Sequence, residues 1–328
     1  MSFNQSDYMA MASREAEKAR LHAPPNPWVG ALVVNTLGVV LGEGHTQVPG
    51  ESHAEIQALR RAGEGARGAT LVVTLEPCSH VGRTGPCTDA ILAAGITRVL
   101  VGTLDPDPRV SGSGVDRLRA EGVEVAVGVE EELVRDQLAP YLWHRTTGRP
   151  YVVAKIASTL DGAVAMADGS SKWITGEVAR RDAHVLRAQS QAIIVGAGTV
   201  RSDNPTLSAR LDDIVLEPLR VVLGHAPANA AVRPCLERSG DLGPILDELG
   251  QLDVLQVLVE GGPRTISAFL EAGLVNHLVW YQAPAFAGAL GTTPALPTMT
   301  TPSIGDLRRA RVVGVRRIGE DVRVDLEV

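Results

Sequence analysis

Two stretches of alternating strand-like and helix-like segments run along the chain, the first ending near residue 145. In this first stretch, short runs of branched apolar residues predict strands at 29–35, 38–43, 69–75, 97–102 and 123–127. Apolar residues three or four positions apart predict helices at 7–21, 53–63, 88–95 and 114–122. The first two strands are close enough in sequence to form a β-hairpin. The whole order predicts a sheet covered by helices on both faces.

The second stretch starts at residue 151 and follows the same alternation. It predicts strands at 151–157, 192–196, 219–223, 254–259, 275–281, 311–318 and 322–328, and a helix at 264–272. The polar segment 146–150, with its glycine and proline, is predicted to be the linker. We therefore expect two α/β domains, at 1–146 and 150–328.

Composition agrees with two globular domains and excludes several classes of protein. The chain has 328 residues, of which 45% are hydrophobic and 21% charged. A net charge of −7 and an aromatic content of 3% argue against a nucleic-acid partner. We expect no membrane partner, because no apolar stretch reaches the roughly 18 residues of a membrane span. Three cysteines and the lack of a signal-peptide pattern predict a cytoplasmic protein.

The first candidate site combines one histidine, two cysteines and a glutamate. His53 and Glu55 begin a predicted helix, Cys78 follows a predicted strand, and Cys87 precedes another helix. One imidazole and two thiolates suit Zn²⁺, and three protein ligands leave the fourth position open for water. Glu55 would carry protons during hydrolysis. The alternatives are unrelated core residues or a structural zinc site, although structural zinc normally takes four protein ligands.

The surrounding segments carry a specific resemblance. They are Pro25-Asn26-Pro27-Trp28-Val29-Gly30, His53-Ala54-Glu55, Thr74-Leu75-Glu76-Pro77 and the run from Cys78 to Cys87. Together they resemble the deaminase half of the bifunctional riboflavin biosynthesis enzymes. The resemblance implies a cytidine-deaminase-like three-layer domain that binds zinc through His53, Cys78 and Cys87 and uses Glu55 as its catalytic residue.

The resemblance also implies that Asn26, His80 and Arg83 contact the substrate. Asn26 could instead only shape a turn, and Arg83 could be merely solvated. One departure concerns the glycine-aromatic-histidine run that the family often shows before His53. This chain has Gly44-His45-Thr46 there. We expect His45 to be a surface residue rather than a displaced replacement for the family's histidine.

The second candidate site lies between residues 151 and 268. Its motifs are the segments 155–162, 171–176, 195–200, 203–207 and 259–263, together with Arg210. Two glycine-rich turns follow predicted strands, and bare glycines let backbone N–H groups approach a phosphate. Neither turn is a dinucleotide fingerprint of the Rossmann type, because position 201 is arginine. On spacing alone, plain tight turns are favoured.

In this order the motifs resemble the reductase half of the same enzymes, which has a fold similar to dihydrofolate reductase and uses NADPH. The resemblance implies cofactor contacts by Ala157, Trp173, Thr199, Asp203, Gly262, Pro263, Arg264 and Thr265. It implies substrate contacts by Lys155, Ser171, Arg187, Leu207, Arg210 and Glu260. The arginines would hold the substrate phosphate, because a guanidinium suits phosphate oxygens. Lys155, one of only three lysines, is interpreted as a ribose contact.

Two departures concern the reductase half. Thr159 replaces the family's usual serine and keeps a hydroxyl, while Gly224 stands where an aspartate is common. Cys235 has no partner cysteine and is expected to be structural. No side chain in this half is an obvious general acid, and Asp203 is a candidate for orienting the reactants.

The sequence thus predicts a bifunctional enzyme of riboflavin biosynthesis. It would deaminate 2,5-diamino-6-(5-phosphoribosylamino)pyrimidin-4-one with zinc and then reduce the ribosyl chain to ribityl with NADPH. The alternatives are a deaminase whose second half has lost reduction and a non-enzymatic structural zinc protein. The resemblance also implies a homo-oligomer.

Overall fold

The computed structural model describes residues 4–79, 85–107, 110–211 and 214–328. The chain divides into two compact units, one up to Gly148 and one from Arg149 onward. In the part of the chain that the structure describes, no helix has the length and apolar character needed to span a bilayer.

The first unit contains five strands and six helices among its described residues. The strands are β1 (Gly30–Val34), β2 (Val40–His45), β3 (Thr70–Leu75), β4 (Arg98–Thr103) and β5 (Glu124–Val127). The helices are α1 (Gln5–Glu17), α2 (Ala54–Ala62), α3 (Cys87–Ala93), α4 (Ser113–Ala120), α5 (Glu131–Gln137) and α6 (Ala139–Thr147), with a 3₁₀ turn at Gly63–Ala66. The predicted hairpin is confirmed, because β1 pairs antiparallel with β2.

The five strands form one sheet in the order β2-β1-β3-β4-β5. Helices cover both faces, and glycines show which helix lies where. A Cβ at Gly30 would sit 1.9 Å from a backbone oxygen of α1, whereas a Cβ at Gly44 would sit 2.2 Å from one of α2. Gly30 pairs with His45, and Ala31 pairs with Gly44. Because paired residues share a face, α1 and α2 lie on opposite faces of the sheet, and His45 lies on the α1 face.

The second unit is built on a larger sheet. Its strands are β6 (Tyr151–Thr159), β7 (Ala163–Ala165), β8 (Ala192–Gly196), β9 (Ala209–Leu211), β10 (Ile214–Leu216), β11 (Leu219–Leu223), β12 (Leu236–Arg238), β13 (Gln256–Val259), β14 (His277–Ala283), β15 (Thr293–Pro294), β16 (Arg311–Ile318) and β17 (Asp321–Glu327). Its helices are α7 (Glu177–Ala188), α8 (Ala197–Asp203), α9 (Leu242–Gln251) and α10 (Pro263–Glu271), with a 3₁₀ turn at Ile304–Asp306.

Eight of these strands form a sheet in the order β12-β11-β8-β13-β6-β14-β17-β16. The first six are parallel, and the last two are antiparallel to their neighbours. Apolar residues of α9 and α10 pack into the core on one face, and those of α7 and α8 into the core on the other. The helices after the adjacent strands β8 and β13 therefore leave toward opposite faces. Such a switch point opens a crevice at the carboxyl ends of the strands.

The predicted linker begins too early. Thr146 and Thr147 lie in the last turn of α6, where their hydroxyls donate to the carbonyls of Leu142 and Trp143, at 2.8 Å in each case. Threonine can satisfy its hydroxyl inside a helix in this way, so a threonine pair does not end one. The helix ends at Gly148, which has a left-handed backbone (φ 74°).

Candidate active sites

The first unit brings together the three predicted metal ligands. His53 caps α2, Cys78 follows β3, and Cys87 is the first residue of α3. The Nδ1 atom of His53 lies 3.2 Å from Sγ of Cys87 and 3.7 Å from Sγ of Cys78. All three donor atoms lie within 4.8 Å of one another. Around a tetrahedral zinc ion, a nitrogen and a sulfur ligand would be about 3.5 Å apart, so the residues fit zinc through His53 Nδ1.

The start of α3 prepares Cys78 for a role as a thiolate. The backbone N–H of Cys87 donates to Sγ of Cys78 at 3.4 Å, and the N–H of Thr88 donates to the Cys78 carbonyl at 3.2 Å. Hydrogen bonds from Cys87 lower the pKa of Cys78 to about 4, although burial opposes the shift. Thiolate is the form that binds metal. The side chain of Cys87 has the largest part in this shift, and its backbone N–H adds to it, so the residue that begins α3 favours the thiolate form of Cys78.

Glu55 lies one helical position beyond the start of α2 and is almost completely buried. It is not among the donors that could share one ion, which are His53, Cys78 and Cys87 in the described part of the chain. Burial raises the pKa of Glu55, so its carboxyl group can hold a proton. A buried carboxyl group beside an open metal position is suited to moving protons to and from water.

The remaining predicted contacts of this unit are less defined. Asn26 is half-buried in a turn, where its backbone N–H donates to the Ala23 carbonyl at 2.9 Å. Its side chain has no hydrogen-bond partner among the described residues. His80 and Arg83 lie outside the residues that the structure describes.

His45 is less exposed than the expectation of a surface residue implies. Its side chain is 19% exposed, and its Nδ1 lies 2.8 Å from the carboxylate of the buried Glu15 on α1. The ring therefore faces away from α2, on which the metal site is built, and it does not replace the family's histidine. Thr46 is buried and accepts a hydrogen bond from the N–H of Val29 at 3.0 Å. Strand alternation explains the result, since each successive residue changes face.

Sequence reasoning missed another buried carboxylate in this unit, Glu76. It accepts four backbone N–H groups, from Asp105 at 3.3 Å, Gly112 at 2.9 Å, Gly114 at 2.9 Å and Val115 at 3.3 Å. These bonds cap α4 and fix the end of β3, two residues before Cys78. The signal was a charged residue directly after an apolar strand, in Leu75-Glu76-Pro77.

In the second unit a cleft of about 1300 Å³ opens beside the ends of β6, β8 and β13. Its lining includes all fourteen side chains or glycines that the sequence assigned to this half. They are Lys155, Ala157, Ser171, Trp173, Arg187, Thr199, Asp203, Leu207, Arg210, Glu260, Gly262, Pro263, Arg264 and Thr265. Small-molecule sites usually measure about 300–1,000 Å³, so this cleft has room for a substrate and a cofactor together.

Three charged groups that line this cleft lie close to one another. Glu260 follows β13, and its side chain is only 5% exposed. Its carboxylate accepts from Nε of Arg187 at 2.7 Å and lies 3.7 Å from Nζ of Lys155. Burial alone would raise the pKa of Glu260, but Arg187 and Lys155 outweigh it and lower that pKa. The carboxylate is therefore charged at neutral pH and can fix polar groups of a ligand.

Two glycine-rich turns meet at one end of the cleft. Gly196 caps α8, and Gly262 caps α10. A Cβ at Gly196 would lie 2.6 Å from Oγ1 of Thr265, and one at Gly261 would lie 2.6 Å from Cβ of Thr265. The glycines thus let the two turns pack closely. At the start of α10, Pro263 has no N–H and the N–H groups of Thr265 and Ile266 donate to the Gly262 carbonyl at 2.9 and 3.3 Å, so those of Gly262 and Arg264 are the ones left for an anion.

At the rim, the ring of Trp173 is 70% exposed, and the guanidinium of Arg180 lies 4.6 Å from its centroid. A large aromatic ring at a cleft edge suits contact with a planar ligand. Asp203 ends α8, and its carbonyl accepts from Nζ of Lys172 at 3.3 Å.

The cleft also contains basic residues that the sequence analysis did not assign, chiefly Arg180, His184 and Arg201. Arg180 and His184 both lie on α7, where the helical period places them on the same face as Arg187. That spacing of basic residues after Gly176 was the available signal.

Three positions of this unit that the sequence analysis singled out, Gly224, Thr159 and Cys235, have local structural explanations. Gly224 has a positive φ of 102°, and a Cβ there would lie 3.1 Å from Ala197, so this turn favours glycine over the family's aspartate. The hydroxyl of Thr159 accepts the N–H of Ala163 at 2.9 Å, a bond that serine could also make. Cys235 packs against the core beside α7 and α8.

Comparison with known proteins covers the whole chain. Residues 2–103 match the family described as the cytidine and deoxycytidylate deaminase zinc-binding region, and residues 150–324 match the RibD C-terminal domain. The chain is 39% identical to the riboflavin biosynthesis protein RibD of Aquifex aeolicus, with 96% of each chain covered. It is 36% identical to RibD of Escherichia coli, covering 97% of this chain and 98% of the relative.

Solved structures agree. The chain superposes on RibD of Acinetobacter baumannii with a TM-score of 0.91, 35% identity and 98% of each chain covered. It superposes on the diaminohydroxyphosphoribosylaminopyrimidine deaminase/5-amino-6-(5-phosphoribosylamino)uracil reductase of Thermotoga maritima with a TM-score of 0.89, 34% identity and the same coverage. These matches confirm the expected fold class of a cytidine-deaminase-like domain followed by a dihydrofolate-reductase-like one.

Proposed function

Because this chain belongs to the RibD family of riboflavin biosynthesis proteins, we propose that it catalyses two consecutive reactions. Residues 1–146 would remove an amino group from 2,5-diamino-6-(5-phosphoribosylamino)pyrimidin-4-one by hydrolysis. Residues 150–328 would then reduce the ribosyl group of the product to ribityl. The observation that carries this proposal is the presence, in one chain, of the zinc donor set beside a buried glutamate and of a cleft lined by every assigned reductase position.

For deamination, His53, Cys78 and Cys87 would hold zinc, which when bound acts as a Lewis acid and lowers the pKa of water. Glu55 would accept a proton from the attacking water on its carboxylate and return it to the leaving nitrogen, so that ammonia departs. Its burial keeps bulk water from competing for that proton. We retain Asn26, His80 and Arg83 as proposed substrate contacts.

For reduction, Arg187 and Arg210 would hold the substrate phosphate, and Lys155 and Glu260 would hold the ribose. Ser171 and Leu207 would complete the substrate side of the cleft. NADPH, the proposed cofactor, would supply the hydride. Ala157, Trp173, Thr199 and Asp203 would position it. The turn of Gly262, Pro263, Arg264 and Thr265 would lie against its phosphates, with the backbone N–H groups of Gly262 and Arg264 as the donors.

Two alternatives are not favoured. A deaminase with an inactive second half would not be expected to keep the Glu260–Arg187–Lys155 cluster at the base of an open cleft. A structural zinc site would need a fourth protein ligand, and the described residues offer three converging donors.

We further propose that the chain forms a homo-oligomer and works in the cytoplasm. β16 is an edge strand of the large sheet, and Val312, Val313 and Val315 on it are exposed. An edge with apolar side chains favours pairing with another chain. The three cysteines are free, and a thiolate pair for zinc needs a reducing compartment. Light scattering of the purified protein tests the first statement, since the mass of a single chain would contradict it.

The decisive experiment for the enzyme is a pair of assays on purified, zinc-loaded protein. Ammonia release from the diaminopyrimidine substrate measures deamination, and loss of NADPH absorbance with the deaminated product measures reduction. We expect both signals, with NADPH consumed only when the deaminated compound is present. Unchanged NADPH absorbance with that compound would contradict the bifunctional proposal.

A further inference from the structure

A third basic side chain stands beside the two arginines proposed to hold the substrate phosphate. His184 lies on α7 three residues before Arg187, so both side chains share one helical face. That helix packs on β9, which carries Arg210. All three residues line the reductase cleft.

The ring of His184 has a defined orientation. Its Nδ1 accepts the backbone N–H of Arg210 at 3.1 Å. An Nδ1 that accepts cannot carry a proton, so the neutral ring has its hydrogen on Nε2. Nε2 is then the nitrogen left to donate to a ligand.

The surroundings keep this ring neutral. The charged groups near it are Arg180 and Arg187 on its own helix, Arg210 on β9 and Glu260 after β13. Burial lowers the pKa of His184, and Arg187 and Arg210 lower it further, which outweighs the opposite effects of Glu260 and of the Ser208 backbone. A charged imidazolium would also lose the bond from Arg210.

The protein itself uses part of the donor capacity of the two arginines. Arg187 donates from Nε to Glu260 at 2.7 Å and from Nη1 to the Ser208 carbonyl at 3.2 Å, and Nη1 of Arg210 lies 3.5 Å from Oγ of Ser208. A phosphate monoester presents three acceptor oxygens, each able to accept more than one hydrogen bond. A neutral donor at this end of the cleft would add a hydrogen bond without adding repulsion between cations.

We propose that neutral His184 is a substrate-binding residue that donates its Nε2–H to the phosphate of the reductase substrate, between Arg187 and Arg210. The inference rests on the proposed function and adds to it a residue and a protonation state. The ring supplies a hydrogen bond where a third cation would be disfavoured.

Two amide substitutions separate this role from a purely structural one. His184→Asn keeps an oxygen acceptor near the position of Nδ1, for the Arg210 N–H, but removes the distal donor. His184→Gln places an amide N–H near the position of Nε2. We expect His184→Asn to raise KM for the deaminated substrate about tenfold with kcat little changed, because a hydrogen bond to a charged group is lost. His184→Gln should retain most of the affinity.

Two further readouts test the phosphate and the protonation state. With the dephosphorylated form of the deaminated substrate, His184→Asn and the wild type should have equal KM. With the phosphorylated substrate, the ratio of their KM values should stay constant between about pH 6 and 8, since a neutral donor does not titrate there. The exposed His225→Asn variant is the control and should match the wild type.

The possible contrary results are distinct. Equal impairment of both amide variants would show that His184 only supports the Arg210 backbone and would overturn the proposal. So would a defect that persists with the dephosphorylated substrate, or a KM ratio that shrinks about tenfold as the pH rises, which an imidazolium donor would give. Failure of the wild type to oxidise NADPH would instead contradict the proposed function itself.

Discussion

The candidate sites of the two units differ in size and in the number of residues that form them. In the first, three donor atoms from three elements lie within 4.8 Å, and one buried carboxyl group stands next to them. In the second, the assigned residues surround a cleft of about 1300 Å³. A metal site depends on each ligand, whereas a large cleft spreads its binding over many weak contacts. Single substitutions should therefore abolish activity in the first unit and weaken it by degrees in the second.

The largest effect is expected when one metal ligand is removed. Cys87→Ser should reduce the zinc content from about one ion per chain to near zero and bring deamination below detection. NADPH oxidation with the deaminated substrate should continue. Zinc analysis and the two activity assays measure this, with Cys235→Ser as the matched control. Full zinc retention in Cys87→Ser would remove that residue from the ligand set.

The next largest effect is expected for Glu55→Gln, which separates metal binding from proton transfer in the first unit. The variant should keep its zinc, since the three donors are intact, and lose about 10³-fold in deamination rate. Ammonia release and zinc content measure the two effects. The exposed Glu64→Gln serves as control. Deamination at the wild-type rate would disprove the role of Glu55.

The third effect concerns Glu76, whose hydrogen bonds fix the end of β3 just before the metal ligand Cys78. Glu76→Gln replaces an acceptor of four N–H groups with an amide whose own N–H groups face those donors. It should lower the free energy of unfolding of the first unit by about 2 kcal/mol, as measured by urea denaturation at fixed free zinc.

Its control is Glu124→Gln, whose exposed carboxylate pairs with Arg98 at 3.0 Å and should contribute less than about 1 kcal/mol. Equal stability of the two variants would show that Glu76 does not anchor the end of β3.

The last expected effect is absent at neutral pH and concerns the scaffold of the second unit, away from its cleft. Although burial opposes the shift, His277 and Arg323 hold the pKa of Asp325 at about 2. This stabilisation is present above the unfolded pKa near 4 and is lost as the pH falls toward 2, at a cost of about 2 kcal/mol.

Asp325→Asn should lack this acid-dependent loss, while NADPH oxidation at neutral pH stays unchanged. Thermal unfolding between about pH 2 and 6 measures the slope, with the exposed Asp241→Asn as control. An identical slope in Asp325→Asn and the wild type would show that another group governs acid stability.

The comparison also explains what the sequence could predict. Strands such as β1, β3, β4 and β8 are continuous apolar runs and were predicted to within a residue or two. The zinc donors were found because few residue types bind that metal. The helices α5, α6, α7 and α9 were not predicted, and the two threonines at the end of α6 were assigned to the linker.

Other features depend on tertiary structure. The orientation of His45 depends on which sheet face α1 covers, and the bonds of Glu76 join segments almost forty residues apart. The cleft position of His184 depends on the packing of α7 against β9. The sequence shows which residue types are present, but it does not show which of them contact one another in the folded chain.

The contact of Thr265 with Gly196 and Gly261 has a consequence for how the cofactor end can change over evolution. Adding even one methyl group at Gly261 would meet the threonine at 2.6 Å, so alanine there is accessible only after Thr265 has become smaller. A chain with the smaller residue alone would carry a void until the second change arrives. Substitutions in these two turns that alter cofactor preference would therefore have to occur in a fixed order. The two turns cannot change independently of each other.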